Sequence, residues 1–101
     1  GITFKENCPD IRNSKAIDVY NELTDFGLDV DVYDPWANAK EVKAEYGIDL
    51  VDTLSDDYTA VILTVSHNEF KEIKLNDLKA KDAIVFDTKS FFNLSEIDAR
   101  L

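Results

Sequence analysis

Two cations flank the loop that opens the sequence, and their positions are compatible with an anion site. Lys5 follows the first apolar residues, and Arg12 lies just before a predicted helix. A lysine ammonium attracts a phosphate as a point charge, whereas an arginine guanidinium can bind one through two parallel hydrogen bonds. The first N–H groups of a helix also favour a negative charge. From spacing alone, an anion site and a pair of solvated loop charges are equally good interpretations.

The same loop lacks the glycines of an independent dinucleotide site. In a G-x-G-x-x-G segment, the glycines allow the backbone to approach a pyrophosphate closely after the first strand of the fold. The opening fourteen residues contain one glycine, Gly1. The sequence therefore argues against a self-contained NAD site in this chain.

Three other reactive side chains are interpreted as structural. Cys8 is the single cysteine, so no intrachain disulfide is possible, and a packed loop thiol is favoured over a nucleophile. His67 has no neighbouring cysteine or second histidine, which favours a first-turn helix residue or a domain-interface contact over a metal ligand. Asp34 precedes Pro35, a pattern typical of a turn. We therefore predict no catalytic residue and no metal site in this chain.

The composition indicates one acidic, folded domain covering residues 1–101. Apolar residues make up 45% of the chain, with one Trp, four Tyr and six Phe, which is enough for one hydrophobic core. A net charge of -10 repels a phosphate backbone and argues against nucleic-acid binding. The longest apolar run, residues 60–63, is too short to cross a membrane. One cysteine and no apolar leader segment favour a cytoplasmic location.

Strand and helix patterns alternate along the chain. Strands are predicted at residues 1–4, 28–32, 48–51, 59–65 and 83–87, the first of them shortened. Helices are predicted from a cap at Asn13 or Ser14 to Gly27, at residues 37–46, 67–73 and 75–78, and after Ser95. This alternation predicts a three-layer α/β/α fold with a parallel, Rossmann-like sheet, whose ligands meet the loops at the carboxyl ends of the strands.

Four short segments carry a family signature. They are G-I-T-F-K-E-N-C-P-D-I-R-N-S at residues 1–14, V-Y-D-P at 32–35, V-S-H-N-E-F at 65–70 and F-D-T-K at 86–89. The first matches the pattern G-x-x-F-K-x4-D-x-R-x-S that opens the C-terminal, UDP-binding domain of the UDP-glucose/GDP-mannose dehydrogenase family, and the whole chain resembles that domain. The residues F-K-E-N-C-P-D-I-R-N-S are most similar to those of the branch that oxidises UDP-N-acetylhexosamines for bacterial surface polysaccharides.

The resemblance implies a role for each cation of the signature. In the family, the backbone of the Phe and the side chain of the Lys in F-K contact the UDP-sugar, which implies substrate contacts for Phe4 and Lys5. The Arg of D-x-R reaches the NAD that the N-terminal domain mainly holds, which implies a cofactor contact for Arg12. A family Arg after the last strand also contacts the nucleotide sugar, often from a neighbouring subunit. This sequence has Lys89 at that position, which keeps the positive charge but cannot form the bidentate contact of an arginine guanidinium.

The resemblance also implies an enzyme whose chemistry lies outside this chain. The family oxidises the C6 alcohol of a UDP-sugar to a carboxylate and reduces two NAD, using a cysteine nucleophile from another segment. We therefore expect this chain to be the substrate-binding part of an NAD-dependent, homo-oligomeric dehydrogenase and to be inactive alone. A UDP-N-acetylhexosamine is the expected ligand.

Two other functions fit parts of the sequence. A phospho-receiver domain shows the same alternation of strands and helices, and Asp34, Ser66 and Lys89 could fill its roles. Its acidic pair after the first strand is missing, however, because Phe4 and Lys5 stand there. An assembly module that holds subunits together without contacting a ligand is compatible with the aromatic residues at the ends of the predicted elements.

Overall fold

The fold of residues 1–100 is described by a computed structural model, and it combines helices with a parallel sheet. The α-helices are α1 (Ala16–Asp25), α2 (Ala39–Tyr46) and α3 (Leu75–Leu78). The strands are β1 (Tyr58–Leu63), β2 (Lys79–Asp87) and β3 (Ala99–Arg100), in the order β1-β2-β3. Short 3₁₀ helices span Asn68–Glu72 and Leu94–Glu96. The predicted α/β class with a parallel sheet is confirmed.

The first two helices end at the glycines that the sequence indicated. The cap residue after α1 is Phe26, and Gly27 follows it with a φ of 83°. Gly47 ends α2 with a φ of 71°, a left-handed conformation that glycine adopts without a steric penalty. At its start, α2 is capped by Asn38, whose side-chain oxygen accepts the N–H groups of Lys40 and Glu41.

The main apolar cluster lies beneath the opening loop and the first two helices. Its buried members are Ile2, Ile11, Val42 and Ile48. Half-buried side chains from α1, from α2 and from the segments beside them pack around this cluster. The loop that carries the signature is therefore anchored by two of its own isoleucines, and between them Lys5 and Glu6 are exposed.

Four of the strand predictions need correction. Residues 1–4 form no strand, and residues 28–32 and 48–51 contribute only the isolated parallel bridge between Val32 and Leu50. A run of β-branched residues becomes a strand only where a neighbour supplies ladder hydrogen bonds. The run at 59–65 was expected to be covered on both faces, but Thr59 and Ala60 of β1 are exposed, because β1 lies at the edge of the described sheet.

A groove of about 290 Å³ separates residues 28–33 from β1. Apolar side chains from both sides line it, including Val30, Val32 and Ile62. Because the groove lies between them, the two segments do not pair in the described part of the chain.

The other corrections are local. The cap residue of α1 is Lys15, and Ser14 Oγ accepts the N–H of Ala16 at 3.2 Å. The helix predicted at 67–73 is a 3₁₀ helix, and the final short helix begins after Asn93, so that Ser95 lies within it.

No helix in residues 1–100 is long and apolar enough to cross a membrane.

Candidate functional site

The opening loop closes on itself through a backbone hydrogen bond. The N–H of Phe4 donates to the carbonyl of Asp10 at 2.7 Å, which brings the F-K pair beside the D-x-R segment. The Phe4 side chain is left largely in solvent, with the residue 55% exposed, and Lys5 is exposed next to it. The backbones of the F-K pair and of the D-x-R segment therefore lie side by side.

Arg12 forms a two-pronged ion pair with Asp10. Arg12 Nε lies 3.0 Å from Asp10 Oδ1, and Nη2 lies 3.1 Å from Oδ2. The side-chain hydrogen bond from Arg12 lowers the pKa of Asp10, and the same bond raises the pKa of Arg12. The charge of Arg12 is thus compensated by a neighbour in the sequence, a feature that the two-cation interpretation of this loop missed.

A shallow pocket of about 670 Å³ lies beside this ion pair. Arg12, Trp36 and Glu41 line it, and half-buried Cys8 forms part of its wall. Lys5 does not line this pocket. The structure therefore separates the two cations into neighbouring environments: an open surface at Lys5, and a pocket edge with a flat aromatic ring at Arg12.

The turn after β2 presents the third cation, Lys89. The buried carboxylate of Asp87 accepts the backbone N–H groups of Lys89 at 2.8 Å, Phe91 at 2.7 Å and Phe92 at 2.8 Å. Thr88 ties the turn to β1 by donating from Oγ1 to the carbonyl of Leu63 at 2.7 Å. The side chain of Lys89 is exposed at the carboxyl end of the sheet, where ligands of parallel folds bind. Among the described residues, no hydrogen bond or ion pair links Lys89 to the opening loop.

Asp34 is a buried hydrogen-bond acceptor on which the opening loop rests. Its Oδ1 atom accepts the N–H groups of Trp36 and Ala37, which forms the turn expected before Pro35. Its Oδ2 atom accepts the N–H of Ile2 at 2.7 Å and that of Thr3 at 3.2 Å. Sequence reasoning identified the turn but missed the second set of contacts, because residues 31 and 32 positions away supply them.

The pKa of Asp34 reflects a balance between burial and hydrogen bonding. Burial raises it, but hydrogen bonds from the Ile2 N–H, from His67 and from the Trp36 N–H outweigh that effect. The net pKa lies below the ordinary value of 3.8, so Asp34 is a carboxylate at neutral pH.

His67 is fully buried between Asp34 and the opening loop. Its Nδ1 atom accepts the backbone N–H of Asn7 at 2.9 Å, so that nitrogen carries no proton. The ring proton is therefore on Nε2, which lies 3.0 Å from Asp34 Oδ2 and 3.1 Å from Thr3 Oγ1. Trp36 stacks on one side of the ring, with centroids 6.0 Å apart. His67 thus belongs to an internal network, and the domain-interface contact considered from the sequence does not describe it.

The first glycine of the signature is required by close packing. A Cβ atom at Gly1 would lie 2.7 Å from Cβ of Val65, closer than side-chain atoms tolerate. The carbonyl of Gly1 also accepts a hydrogen bond from the hydroxyl of Thr64. The signature loop therefore begins against the end of β1, and a larger first residue would displace it.

No group of three or more His, Cys, Asp or Glu side chains in residues 1–100 is arranged to hold a metal ion. Cys8 is a free, half-buried cysteine.

The geometry defines a parallel α/β domain whose cation-bearing opening loop is hydrogen-bonded to the segment that follows β1. Residues 1–94 match the UDP-glucose/GDP-mannose dehydrogenase family, UDP binding domain. The chain belongs to this family, as its opening signature indicated.

The curated relatives are longer proteins. The chain is 44% identical to the UDP-N-acetyl-D-glucosamine 6-dehydrogenase of Salmonella typhi and 41% identical to that of Pseudomonas aeruginosa. Both matches cover 100% of this chain and 25% of the relative. Protein CapL of Staphylococcus aureus is 43% identical, over 97% of this chain and 24% of that protein. The chain spans about a quarter of the length of the curated relatives it matches.

Proposed function

We propose that residues 1–101 form the UDP-sugar-binding domain of an NAD-dependent nucleotide-sugar 6-dehydrogenase that oxidises a C6 alcohol to a carboxylate. The observation that carries this proposal is the signature loop, which matches the UDP-binding family and exposes Phe4 and Lys5 on a buried hydrogen-bonded support. The family match favours this function over a phospho-receiver domain and over an assembly module without a ligand.

Lys5 is the group that we assign to the pyrophosphate. Its ammonium is exposed, and no carboxylate within the described residues forms an ion pair with it. On a chain with a net charge of -10, an uncompensated cation concentrates the local attraction for an anionic ligand. Lys5 would thus offset the charge of the diphosphate while the sugar is presented to the rest of the enzyme.

Phe4 has only part of its backbone available for a ligand. Its N–H already donates to Asp10, which leaves the carbonyl as the backbone group that can face the substrate. A carbonyl accepts hydrogen bonds, so the partner on the nucleotide sugar must be a donor, such as a hydroxyl or a ring N–H. The exposed phenyl ring adds an apolar surface beside it.

Arg12 is the group that we assign to NAD. Residues 1–14 contain a single glycine, which packs against Val65, so they do not fit a complete pyrophosphate cradle. The guanidinium of Arg12 lies at the edge of the pocket, where it could bind one part of the cofactor through two hydrogen bonds. NAD accepts hydride when bound, and its main binding groups, like the catalytic cysteine and the acid–base residues, would lie in the rest of the enzyme. This chain alone would be inactive.

The wider assignment follows the relatives. Two of them are UDP-N-acetyl-D-glucosamine 6-dehydrogenases, which favours a UDP-N-acetylhexosamine as the substrate and surface polysaccharide synthesis as the role. Lys89 would add a second cation for the nucleotide sugar, within the same subunit or from its neighbour in a homo-oligomer. A cytoplasmic location accords with the single, unpaired cysteine.

The test is the affinity of the full-length dehydrogenase for UDP, measured by isothermal titration calorimetry. Lys5→Ala should weaken binding about tenfold, because a charge-assisted hydrogen bond to a phosphate oxygen is lost. Lys81→Ala is the matched control, since Lys81 is an exposed lysine near the opposite end of β2. Equal affinities of Lys5→Ala and the parent protein would contradict the assignment.

A further inference from the structure

The loop that presents Lys5 is fastened at its far end by Asn7. The N–H of Asn7 donates to His67 Nδ1 at 2.9 Å, and Asn7 Oδ1 accepts the N–H of Asn68 at 2.8 Å. Asn7 adopts a φ of 53°, the left-handed conformation that asparagine tolerates better than most residues. Backbone and side chain of one residue therefore hold the loop to the segment that follows β1.

The near end of the same loop is fastened by Thr3. Its N–H donates to Asp34 Oδ2 at 3.2 Å, and its Oγ1 atom lies 3.1 Å from His67 Nε2. The Thr3 hydroxyl in turn donates to the carbonyl of Lys5 at 3.0 Å, which restrains the backbone of the residue that carries the cation. Both ends of the loop from Thr3 to Asn7 therefore meet the imidazole of His67.

The surroundings make this imidazole hard to replace. Thr3, Asp34 and His67 are 1%, 6% and 0% exposed, so groups left without a partner could not turn to water. Every buried side-chain nitrogen and oxygen in the described part of the chain has a partner. A fully satisfied buried network of this kind fixes one arrangement of the groups that it joins.

We infer that His67 is a positioning residue, which with Asp34 holds the Thr3–Asn7 loop in the arrangement that lets Lys5 and the Phe4 carbonyl meet a nucleoside diphosphate. Phe4, Lys5 and Glu6 are exposed between the two fastened ends, so the ligand meets a surface whose backbone is already ordered. Ordering the loop in advance removes an entropic cost from binding. This inference rests on the proposed function, because it assumes that Lys5 contacts the UDP portion of the substrate.

Three substitutions of His67 distinguish the contribution of its Nδ1 contact with Asn7 from that of its Nε2 contacts with Thr3 and Asp34. His67→Asn keeps an acceptor near the position of Nδ1, His67→Gln keeps a donor near the position of Nε2, and His67→Phe keeps the ring but neither polar atom. In the full-length dehydrogenase, His67→Phe should weaken UDP binding by about fivefold to thirtyfold. It should raise KM for the UDP-sugar by a similar factor, with kcat within about twofold of the parent. His67→Asn and His67→Gln should each recover part of the loss.

Phe70→Leu is the matched control. Phe70 is buried, and its ring packs edge-on against His67 with centroids 5.3 Å apart, but no hydrogen bond joins it to the loop side chains. This variant should lower thermal stability while leaving UDP affinity within about twofold of the parent, because only apolar contacts are lost. Should His67→Phe fail to fold, Asn7→Ala provides the second measurement, since it removes the Oδ1 bond to Asn68 and is expected to weaken UDP binding in the same direction.

The outcomes distinguish the inference from the proposed function. Weaker binding in Lys5→Ala and His67→Phe, with partial rescue by His67→Asn or His67→Gln, supports both. If Lys5→Ala weakens UDP binding but folded His67→Phe and Asn7→Ala bind like the parent, His67 has no positioning role and the proposed function stands. If Lys5→Ala has no effect on UDP binding, the proposed function fails and the inference fails with it.

Discussion

Arg12 and Asp10 face each other through two parallel contacts, Nε to Oδ1 at 3.0 Å and Nη2 to Oδ2 at 3.1 Å. The Arg12 side chain is 83% exposed, so water screens this pair and it contributes little to stability. The main consequence of the pair is that it fixes the orientation of the Arg12 guanidinium. Two of the five guanidinium donors point at Asp10, and the other three remain available to a ligand on the opposite side. A guanidinium held in this way can bind one further anionic group with a defined geometry.

Arg12 should therefore affect the cofactor and leave UDP binding unchanged. In the full-length enzyme, Arg12→Ala should raise KM for NAD about tenfold, and Arg12→Lys should recover little because it lacks the fork. Steady-state kinetics at saturating UDP-sugar measure this change. Lys5→Ala is the reciprocal control and should leave KM for NAD within about twofold of the parent. An unchanged KM for NAD in Arg12→Ala would remove the cofactor role.

Lys89 should act as a second, weaker cation for the nucleotide sugar. Only its backbone N–H is tied to Asp87, so its exposed side chain can be changed without disturbing the turn. Lys89→Ala should weaken UDP-sugar binding about fivefold, whereas Lys89→Arg should match or exceed the parent because it adds a bidentate donor. Calorimetric titration of the full-length enzyme with UDP-sugar is the measurement. Equal affinity of Lys89→Ala and the parent would exclude the contact.

Asp34 should make the domain sensitive to acid. Its pKa is lowered on folding, so the stability that it contributes is present above the ordinary value of 3.8 and is lost as the pH falls through the lower, folded value. The carboxyl ¹³C resonance of Asp34, followed against pH, reports the folded pKa directly. The free energy of unfolding in urea should fall over the same acidic range. Titration of Asp34 at or above 3.8 would show that burial, not hydrogen bonding, dominates.

Gly1 should not tolerate a side chain while Val65 is present. Gly1→Ala should lower the free energy of unfolding by about 1–3 kcal/mol, because the new methyl group overlaps the Val65 side chain. Val65→Gly removes the Cβ and Cγ2 atoms that crowd it, so the double variant should be less destabilised than the sum of the two single variants. Urea denaturation of the four proteins gives the coupling. Simple additivity would show that the contact does not limit residue 1.

Much of the fold could be predicted from local patterns. The three-to-four spacing of apolar residues, the glycines at 27 and 47 and the run at 59–65 identified α1, α2 and β1 to within a few residues. These signals are local because a helix satisfies its hydrogen bonds within one segment. The segments at 28–32 and 48–51 show the limit. Their residue types suit strands, but a strand also needs a neighbouring strand that supplies hydrogen bonds. The two segments share only the isolated bridge between Val32 and Leu50.

The sequence alone determined the family, through a signature that lies within fourteen consecutive residues. It also identified Phe4, Lys5, Arg12 and Lys89 as the residues to test. Only the tertiary structure placed His67 and Asp34, 33 positions apart, beneath the loop that carries Lys5. Hydrogen bonds between distant residues depend on how the chain folds, and residue types at those positions do not reveal them. Two side chains that suggested chemistry in the sequence thus serve to hold the proposed binding loop in place.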